Sequence, residues 1–417
     1  VGYQIIANFK LEPKGGSIYV YNPQKILVDQ VTYPKLNNGN VSYARLTDGG
    51  EEWGTMAYPT PRKANTLGEP STLRVEEPVF SETGGFFTGT KTIMLSCTTP
   101  GAKIYYTVNG DEPFDAKGIT LLTNESKMLS GKPLEYTGTP ITINKSTVIR
   151  AKVYAPGYLP STVVTQSYLL REREISLPVF SVSTNEKYRD ESTVGIWANY
   201  TDRTMKRPAN IEFYPTQDSK ADFNYQMDIE IFAASARAKK HKQFNIIADN
   251  RYQGKNRMKY DFFNEKFGQK RKSVTLRSSG QDGLRTLMQD GLIQILIKDQ
   301  MDIDRRAYQP AVAFMNGKYY GLMNIRERTQ KDFLESNYGY EKGEYDLLGA
   351  HMEEGKFSFR ASQGDFTQWN EMISYLKVNN LRVDETYNQF VDKYIDETEV
   401  LNYFLVQTYI NNIDCIR

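Results

Sequence analysis

The chain has 417 residues, 39% hydrophobic and 24% charged, which is the range of an ordinary soluble globular protein. At roughly 100–200 residues per domain this length predicts several domains. The 52 basic and 50 acidic side chains leave a formal net charge of +2, too little for the electrostatic footprint of a nucleic-acid partner. Two cysteines (Cys97, Cys415) and two histidines (His241, His351) supply no Cys/His zinc site, and nothing in the sequence pairs the two distant cysteines. No apolar run approaches the ~18 residues that read as a membrane-spanning helix.

Residues 1–75 alternate short strand-like runs with turn clusters. The chain opens at Val1 inside such a run, as a processed or truncated start would. Ser17 to Tyr21 and Lys25 to Val31 read as strands, separated by Asn22-Pro23, and Asn37 to Asn40 and Asp48-Gly49-Gly50 read as turns. The order Arg45, Asp48-Gly49, Trp53, Thr60-Pro61 and Asn65 then resembles the ending of the lamin-tail family, an immunoglobulin-like β domain. Arg62 stands where that family usually has Gly. Packing and turn geometry account for these residues, with Trp53 expected to anchor the closing loop.

A Pro/Glu linker at Glu76-Glu77-Pro78 introduces residues 76–172, which read as a small all-β sandwich. Thr92 to Cys97, Lys103 to Val108, Ile141 to Ile143, Thr147 to Tyr154 and Val163 to Tyr168 have strand character, and Asn109-Gly110 is a tight-turn signal. The acids at Asp111 and Glu112 lack the spacing of a calcium loop and are expected to sit in a solvated turn. The stretch from Ile104 to Leu169 resembles the fibronectin III-like domain found at the C-terminus of chitobiases, which usually acts as a spacer.

Residues 173–417 change character. Extended runs at Ser176–Ser183, Ala209–Tyr214, Tyr225–Ile231 and Gln243–Ala248 suggest an antiparallel meander. From Leu284 the apolar period shifts to that of a helix, with Leu284, Leu287, Met288, Leu292, Ile295 and Leu296 on one face. Asn316-Gly317 is the expected turn of a hairpin spanning Gln309 to Ile325. Helices are predicted at Gln330–Tyr338, Phe366–Asn379, Glu385–Ile395 and Glu397–Ile410. A β-rich part followed by a helical part is the order of the two lobes of a kinase.

Five phrases, in order, carry a resemblance to the CotH kinase family: the strand from Ser176, Ser235 to Ile246, Thr275 to Leu292, the hairpin Ala313 to Arg328, and Asn411 to Arg417. The family implies an atypical bacterial kinase, secreted or at the cell surface, that moves phosphate from ATP, with Mg2+, to Ser/Thr of extracytoplasmic proteins. It implies Asp414 as the catalytic acid that orients the acceptor hydroxyl, and Lys242, with Arg237 and Glu327, as nucleotide-binding residues. No metal ligand is assigned, because the expected metal-binding Asp falls past Arg417. Arg326, Arg277 and Arg285 stand as further partners for acids or phosphates, and Asp282 as a helix cap. Phe232-Ala-Ala-Ser-Ala-Arg237 occupies the place where the family often has Gly over the phosphates.

The fold expected is therefore multidomain: two N-terminal β-sandwich (immunoglobulin-like) modules, at 1–75 and 76–172, followed by an α+β atypical protein kinase-like domain at 173–417. The expected partners are a protein substrate or cell-surface ligand, with a polysaccharide as a further partner. Two other functions fit the same modules: a non-catalytic surface adhesion or scaffold protein, and an accessory carbohydrate-associated protein.

Overall fold

In the computed structural model the residues described are 11–412, apart from 13, 37–40, 57–59, 61–63, 66–70, 72, 116–130, 234, 253–255, 264–269 and 354–355. Asp414 and Cys415 lie outside the described residues. The chain divides into two compact units. The first comprises Val1–Ile229, Asp249–Asn256 and Val312–Gly321, and the second Glu230–Ala248, Arg257–Ala311 and Leu322–Arg417.

The first unit begins with two antiparallel pairs, β1 (Gly16–Tyr21) with β2 (Leu27–Tyr33) and β3 (Ser42–Arg45) with β4 (Trp53–Met56). The Arg45 guanidinium lies 4.7 Å from the Trp53 ring centre and donates to Asp29 at 2.5 Å. Asn65 Nδ2 donates to the Arg45 carbonyl at 2.9 Å, and Asn65 N to Asp48 Oδ1 at 3.0 Å. Arg45, Asp48, Trp53 and Asn65 thus come together and fasten the loop that follows β4, a packing role for each.

The next strands are β5 (Val79–Phe80), β6 (Gly85–Phe87), β7 (Lys91–Ile93), β8 (Leu95–Ser96), β9 (Lys103–Thr107), β10 (Leu134–Glu135), β11 (Ile141–Ile143), β12 (Thr147–Tyr154) and β13 (Val164–Leu170). Five form a sheet in the order β10-β9-β12-β13-β6, while β11 pairs with β7 and β5 with β8. Alternation along β12 sends Ile149, Ala151 and Val153 into a core shared with Ile93, Leu95, Ile104 and Tyr168.

The other face of β12 is covered too, so its cations need partners. Arg150 Nη1 donates to the Gly110 carbonyl at 2.8 Å and Nη2 to Gln226 Oε1 at 3.0 Å, while Lys152 pairs with Glu112 at 2.8 Å. The expectation of a solvated turn at Asn109–Glu112 is corrected here. Asp111 is fully buried and accepts from Asn109 Nδ2 at 2.9 Å and Gly131 N at 3.0 Å. Gly110 has φ +87°, and a Cβ there would stand 2.4 Å from the Thr184 carbonyl oxygen.

Further along the first unit, β14 (Val179–Ser183) pairs antiparallel with β15 (Arg207–Tyr214) and parallel with residues 312–315, and β15 pairs with β16 (Phe223–Ile231). The short helix α1 (Glu186–Asp190) is capped by the Asn185 side chain. A buried polar group ties β13 to β14 and β15. Ser167 N donates to Glu212 Oε1 at 3.0 Å, the Ser167 and Ser181 hydroxyls are 2.8 Å apart, and Tyr214 Oη donates to Glu212 Oε1 at 3.0 Å. Asn316-Gly317 takes φ +48° and +76°, the geometry of the tight hairpin turn its sequence signals. The Asn316 side chain also exchanges two hydrogen bonds with the Thr184 backbone.

The second unit holds β17 (Phe244–Ile247), β18 (Met258–Lys259), β19 (Lys270–Arg271), β20 (Ser273–Arg277), helix α2 (Gln289–Ile297), and portions of β21 (Tyr308–Met315) and β22 (Lys318–Arg326). Strands β17, β20 and β22 follow one another in an antiparallel ladder. Beyond them lie α3 (Lys331–Tyr338), the hairpin β23 (Leu347–Glu353) and β24 (Lys356–Gln363), and helices α4 (Thr367–Val378), α5 (Asp384–Tyr394) and α6 (Glu397–Tyr409). The four C-terminal helices match their sequence signals to within a residue or two.

The helix expected from Leu284 starts five residues later. Gly280–Leu284 is a 3-10 turn, Leu287 has φ +63°, and Leu284 is 93% exposed. The Asp282 carboxylate explains the delay: it accepts from Thr286 N at 3.1 Å, Thr286 Oγ1 at 2.6 Å and Gln289 N at 3.0 Å, closing a loop over the residues that the periodicity assigned to the first turn. Among the described residues no helix is long and apolar enough to cross a membrane.

Candidate functional site

The second unit contains a cleft of about 760 Å³, within the size range of small-molecule sites. Its wall draws on separate parts of the chain. Phe232, Ala233, Ala236 and Gln243 come from the segment between β16 and β17, Arg277 from the end of β20, and Asp290 from the first turn of α2. Arg306 comes from the approach to β21, and Gln407 and Asn412 from the end of α6.

Two loops border this cleft in unusual backbone conformations. Ala233 has φ +110°, and Ser279 and Gly280 have φ +58° and +55°. The alanine is thus held in a left-handed region that glycine occupies at lower cost. The segment from Phe232 to Arg237 keeps a glycine-type bend at one position without a glycine in it. Phe232 N donates to the Gln243 carbonyl at 3.0 Å, which closes the loop at its base, and Lys239 Nζ donates to the Gly280 carbonyl at 2.5 Å, which links the two loops.

Charge is concentrated on one side of the cleft. Asp290 accepts from the Arg326 guanidinium and lies 3.5 Å from Arg277 Nη1. Arg306 acts on the same carboxylate electrostatically. Arg326 is 1% exposed, and its Nε and Nη2 make no hydrogen bond, nor does Arg277 Nε. Burial, opposed by Asp290 and by Tyr308 and reinforced by Arg306 and Arg277, pushes the Arg326 guanidinium down to about 10. Burial also lowers Arg306. A buried acceptor, Gln243 Oε1, likewise has no hydrogen-bond partner on this wall.

The residues expected from sequence to bind nucleotide sit next to this wall rather than on it. Lys242 is buried, and its ammonium donates to the Arg237 carbonyl at 2.5 Å; burial first, and the Arg237 charge second, lower its pKa. Arg237 is buried in the 3-10 turn Ser235–Ala238 and donates from Nη1 to the Ile231 carbonyl at 2.5 Å. Glu327 is buried in an ion pair with Arg271 and accepts from Ala307 N at 2.8 Å, so it fixes the chain next to Arg306. Arg277 does line the cleft, whereas Arg285 is exposed.

Gln243, Asp290 and Arg306 escaped the sequence reading. Each sits among other polar residues with nothing to single it out, and no spacing links them. The one available signal was the adjacency of Gln243 to Lys242.

Comparison with family models matches residues 229–417 to the CotH kinase protein family and residues 93–168 to the Fn3 associated family. The first match begins one residue before the second compact unit and contains every residue that lines the cleft. The chain carries a CotH kinase domain. Its Fn3-associated domain precedes it, and the strands β9, β12 and most of β13 lie within that match. No curated protein matches the chain. The protein is therefore multidomain, with a sheet-rich N-terminal region and a C-terminal CotH kinase domain.

Chemically, the CotH kinase cleft offers clustered guanidinium donors, an unfilled buried acceptor and a backbone bent towards left-handed geometry. Such a surface suits a polar, anionic ligand with a donor group of its own. Among the described residues, no group of three or more His, Cys, Asp or Glu side chains is placed to hold a metal ion.

Proposed function

We propose that the CotH kinase domain is an atypical protein kinase that transfers the ATP γ-phosphate to Ser/Thr hydroxyls of extracytoplasmic proteins, and that the cleft of the second unit is its nucleotide site. The proposal includes an α+β kinase-like fold for residues 173–417, two immunoglobulin-like spacer modules before it, and a secreted or surface-exposed bacterial protein. The observation that carries it is the arginine-rich wall in a CotH-matched cleft of about 760 Å³, with Arg277 Nε and Gln243 Oε1 left unpaired.

The wall fits a nucleotide triphosphate: its guanidiniums answer the phosphates, and Gln243 Oε1 offers an acceptor to an amino group. In this account Arg237 fixes Lys242 through its carbonyl, and Lys242 reaches the phosphates when it leaves that carbonyl. Glu327 holds the Ala307 backbone and so the neighbouring Arg306. Asp414 takes or orients the proton of the acceptor hydroxyl, the role of the acid in protein kinases generally. Mg2+ bound with a nucleotide neutralises phosphate charge and usually needs only one or two protein carboxylates.

A second assignment, a non-catalytic surface scaffold, draws on the apolar side chains left exposed on α6, among them Leu401, Phe404 and Leu405. Calorimetric titration of Mg·ATP into the 417-residue chain separates the two. The kinase assignment predicts saturable binding, weakened about tenfold by Lys242→Ala, as loss of one charge-assisted contact would do. Absence of binding to the native chain would remove the enzyme assignment and leave the scaffold.

A further inference from the structure

The arrangement around Asp290 calls for an anion whatever the cleft's main ligand is. Two guanidiniums, from Arg277 and Arg326, reach this one carboxylate, and a third, from Arg306, acts on it electrostatically. The other acids of the cleft wall are engaged elsewhere. Asp282 is occupied by Thr286 and Gln289, and Asp304 accepts from the Tyr338 hydroxyl. A second buried pair nearby, Arg271 with Glu327, is internally balanced.

One carboxylate cannot saturate three guanidiniums. Each guanidinium carries five N–H donors, whereas a carboxylate offers about four lone-pair positions. The shortfall is visible in Arg326. It is 99% buried by its 1% exposure, yet two of its nitrogens, Nε and Nη2, have no hydrogen-bond partner, and Arg277 Nε on the same side is equally unpaired. Leaving a buried charged donor unpaired is costly, and like charges at close range add to that cost. Arg277 and Arg326 sit at the ends of the paired strands β20 and β22, so the backbone that holds these two cannot easily relax the repulsion away.

We propose that Arg277 and Arg306, which line the cleft, form a phosphoryl-anion subsite with the buried Arg326 behind them, in which Asp290 is the resident counter-ion, to be shared with or displaced by a phosphate group. Tetrahedral phosphoryl oxygens accept several N–H donors at once and suit converging guanidiniums. Two sources carry that chemistry: the phosphates of a nucleotide, and a phosphorylated side chain of a protein substrate. The subsite deepens the nucleotide assignment without depending on it, since inorganic pyrophosphate tests it directly.

The measurement is calorimetric titration of sodium pyrophosphate into the full chain at low ionic strength, with Arg277→Gln and Asp290→Asn alongside. The two substitutions are predicted to move affinity in opposite directions. Arg277→Gln lowers it about tenfold, and Asp290→Asn raises it about tenfold by removing the competing carboxylate. A variant that merely loosens the fold would lower affinity in both cases, and circular dichroism confirms that each variant is folded. Competition then names the source. Displacement of pyrophosphate by ATP but not adenosine identifies nucleotide phosphates, and displacement by a phosphoserine peptide but not by ATP identifies a phosphorylated substrate; both support the subsite. If pyrophosphate does not bind, or if Asp290→Asn weakens its binding, the subsite is wrong. ATP binding in that case would leave the nucleotide assignment standing, whereas pyrophosphate binding without ATP binding would do the reverse.

Discussion

Glu212 is fully buried in the first unit, between Ser167 of β13, Ser181 of β14 and Tyr214 of its own strand. Burial pushes its carboxyl up to about 7, with the bonds from Ser167 and Tyr214 working in the opposite direction. Among the described residues no cation forms an ion pair with it; the titratable groups that act on its surroundings are the Tyr214 and Tyr168 hydroxyls, both raised by their own burial and by Glu212. A folded pKa above the unfolded value of 4.5 means that the folded protein holds a proton the unfolded chain has released. Stability from this group is therefore complete below about pH 4.5 and lost as pH rises towards 7, a change of roughly 3 kcal/mol at most. Melting temperatures measured from pH 5 to 8 should fall with rising pH in the native chain and fall less in Glu212→Gln, whose amide keeps the shape without the charge. An equal fall in both would place the pH dependence elsewhere. At this scale sequence foresaw little: Glu212 sits in an alternating strand like any solvated acid, and only the three-dimensional cover from β13 gives it a buried environment.

Elements were more legible, and the exceptions have local causes. Asn316-Gly317 specifies its hairpin turn because the two left-handed positions it needs are intrinsic to those residues. Two ends among the helices α3 to α6 carry signals that act over one turn: the Asp396 cap on Glu399 N at 3.0 Å starts α6, and Gly339 at φ +75° follows α3. The start of α2 failed because apolar periodicity from Leu284 competes with side-chain bonds from Asp282. Those bonds hold Thr286 and Gln289 in a loop and leave Leu284 in solvent. Hydrogen bonds from Thr286, Gln289 and Met288 outweigh burial and hold the Asp282 carboxyl below its ordinary value. Asp282→Ala removes the acceptor for all of them and should destabilise the chain by about 1–2 kcal/mol, the usual cost of losing a cap. Chemical denaturation of the two proteins side by side measures this. A loss within error of zero would mean that the loop is held by Ser279 and Asn324, which also bond across it. The Asn109–Glu112 turn was misread for a related reason: Lys152, which pairs with Glu112, and Arg150, which donates to the Gly110 carbonyl, lie some 40 residues away on β12.

For the whole molecule, the order of two modules was legible, and the family comparisons agree in placing an Fn3-associated domain before a CotH kinase domain. The candidate site was legible only in part. Lys242, Arg237 and Glu327 were expected from phrases resembling the family, and they lie next to the cleft rather than on its wall. The wall itself is built from Gln243, Arg277, Asp290 and Arg306, contributed by separate elements whose proximity no linear spacing encodes. The nucleotide assignment rests on this wall, so the most direct test is one that reports location. Hydrogen–deuterium exchange of the 417-residue chain with and without Mg·ATP provides it. Slower exchange is predicted in the Phe232–Ala238 loop and in residues 279–290, the segments that border the cleft, with the Fn3-associated strands β9 and β12 unchanged. Protection confined to the Fn3-associated domain, or none at saturating nucleotide, would contradict the account.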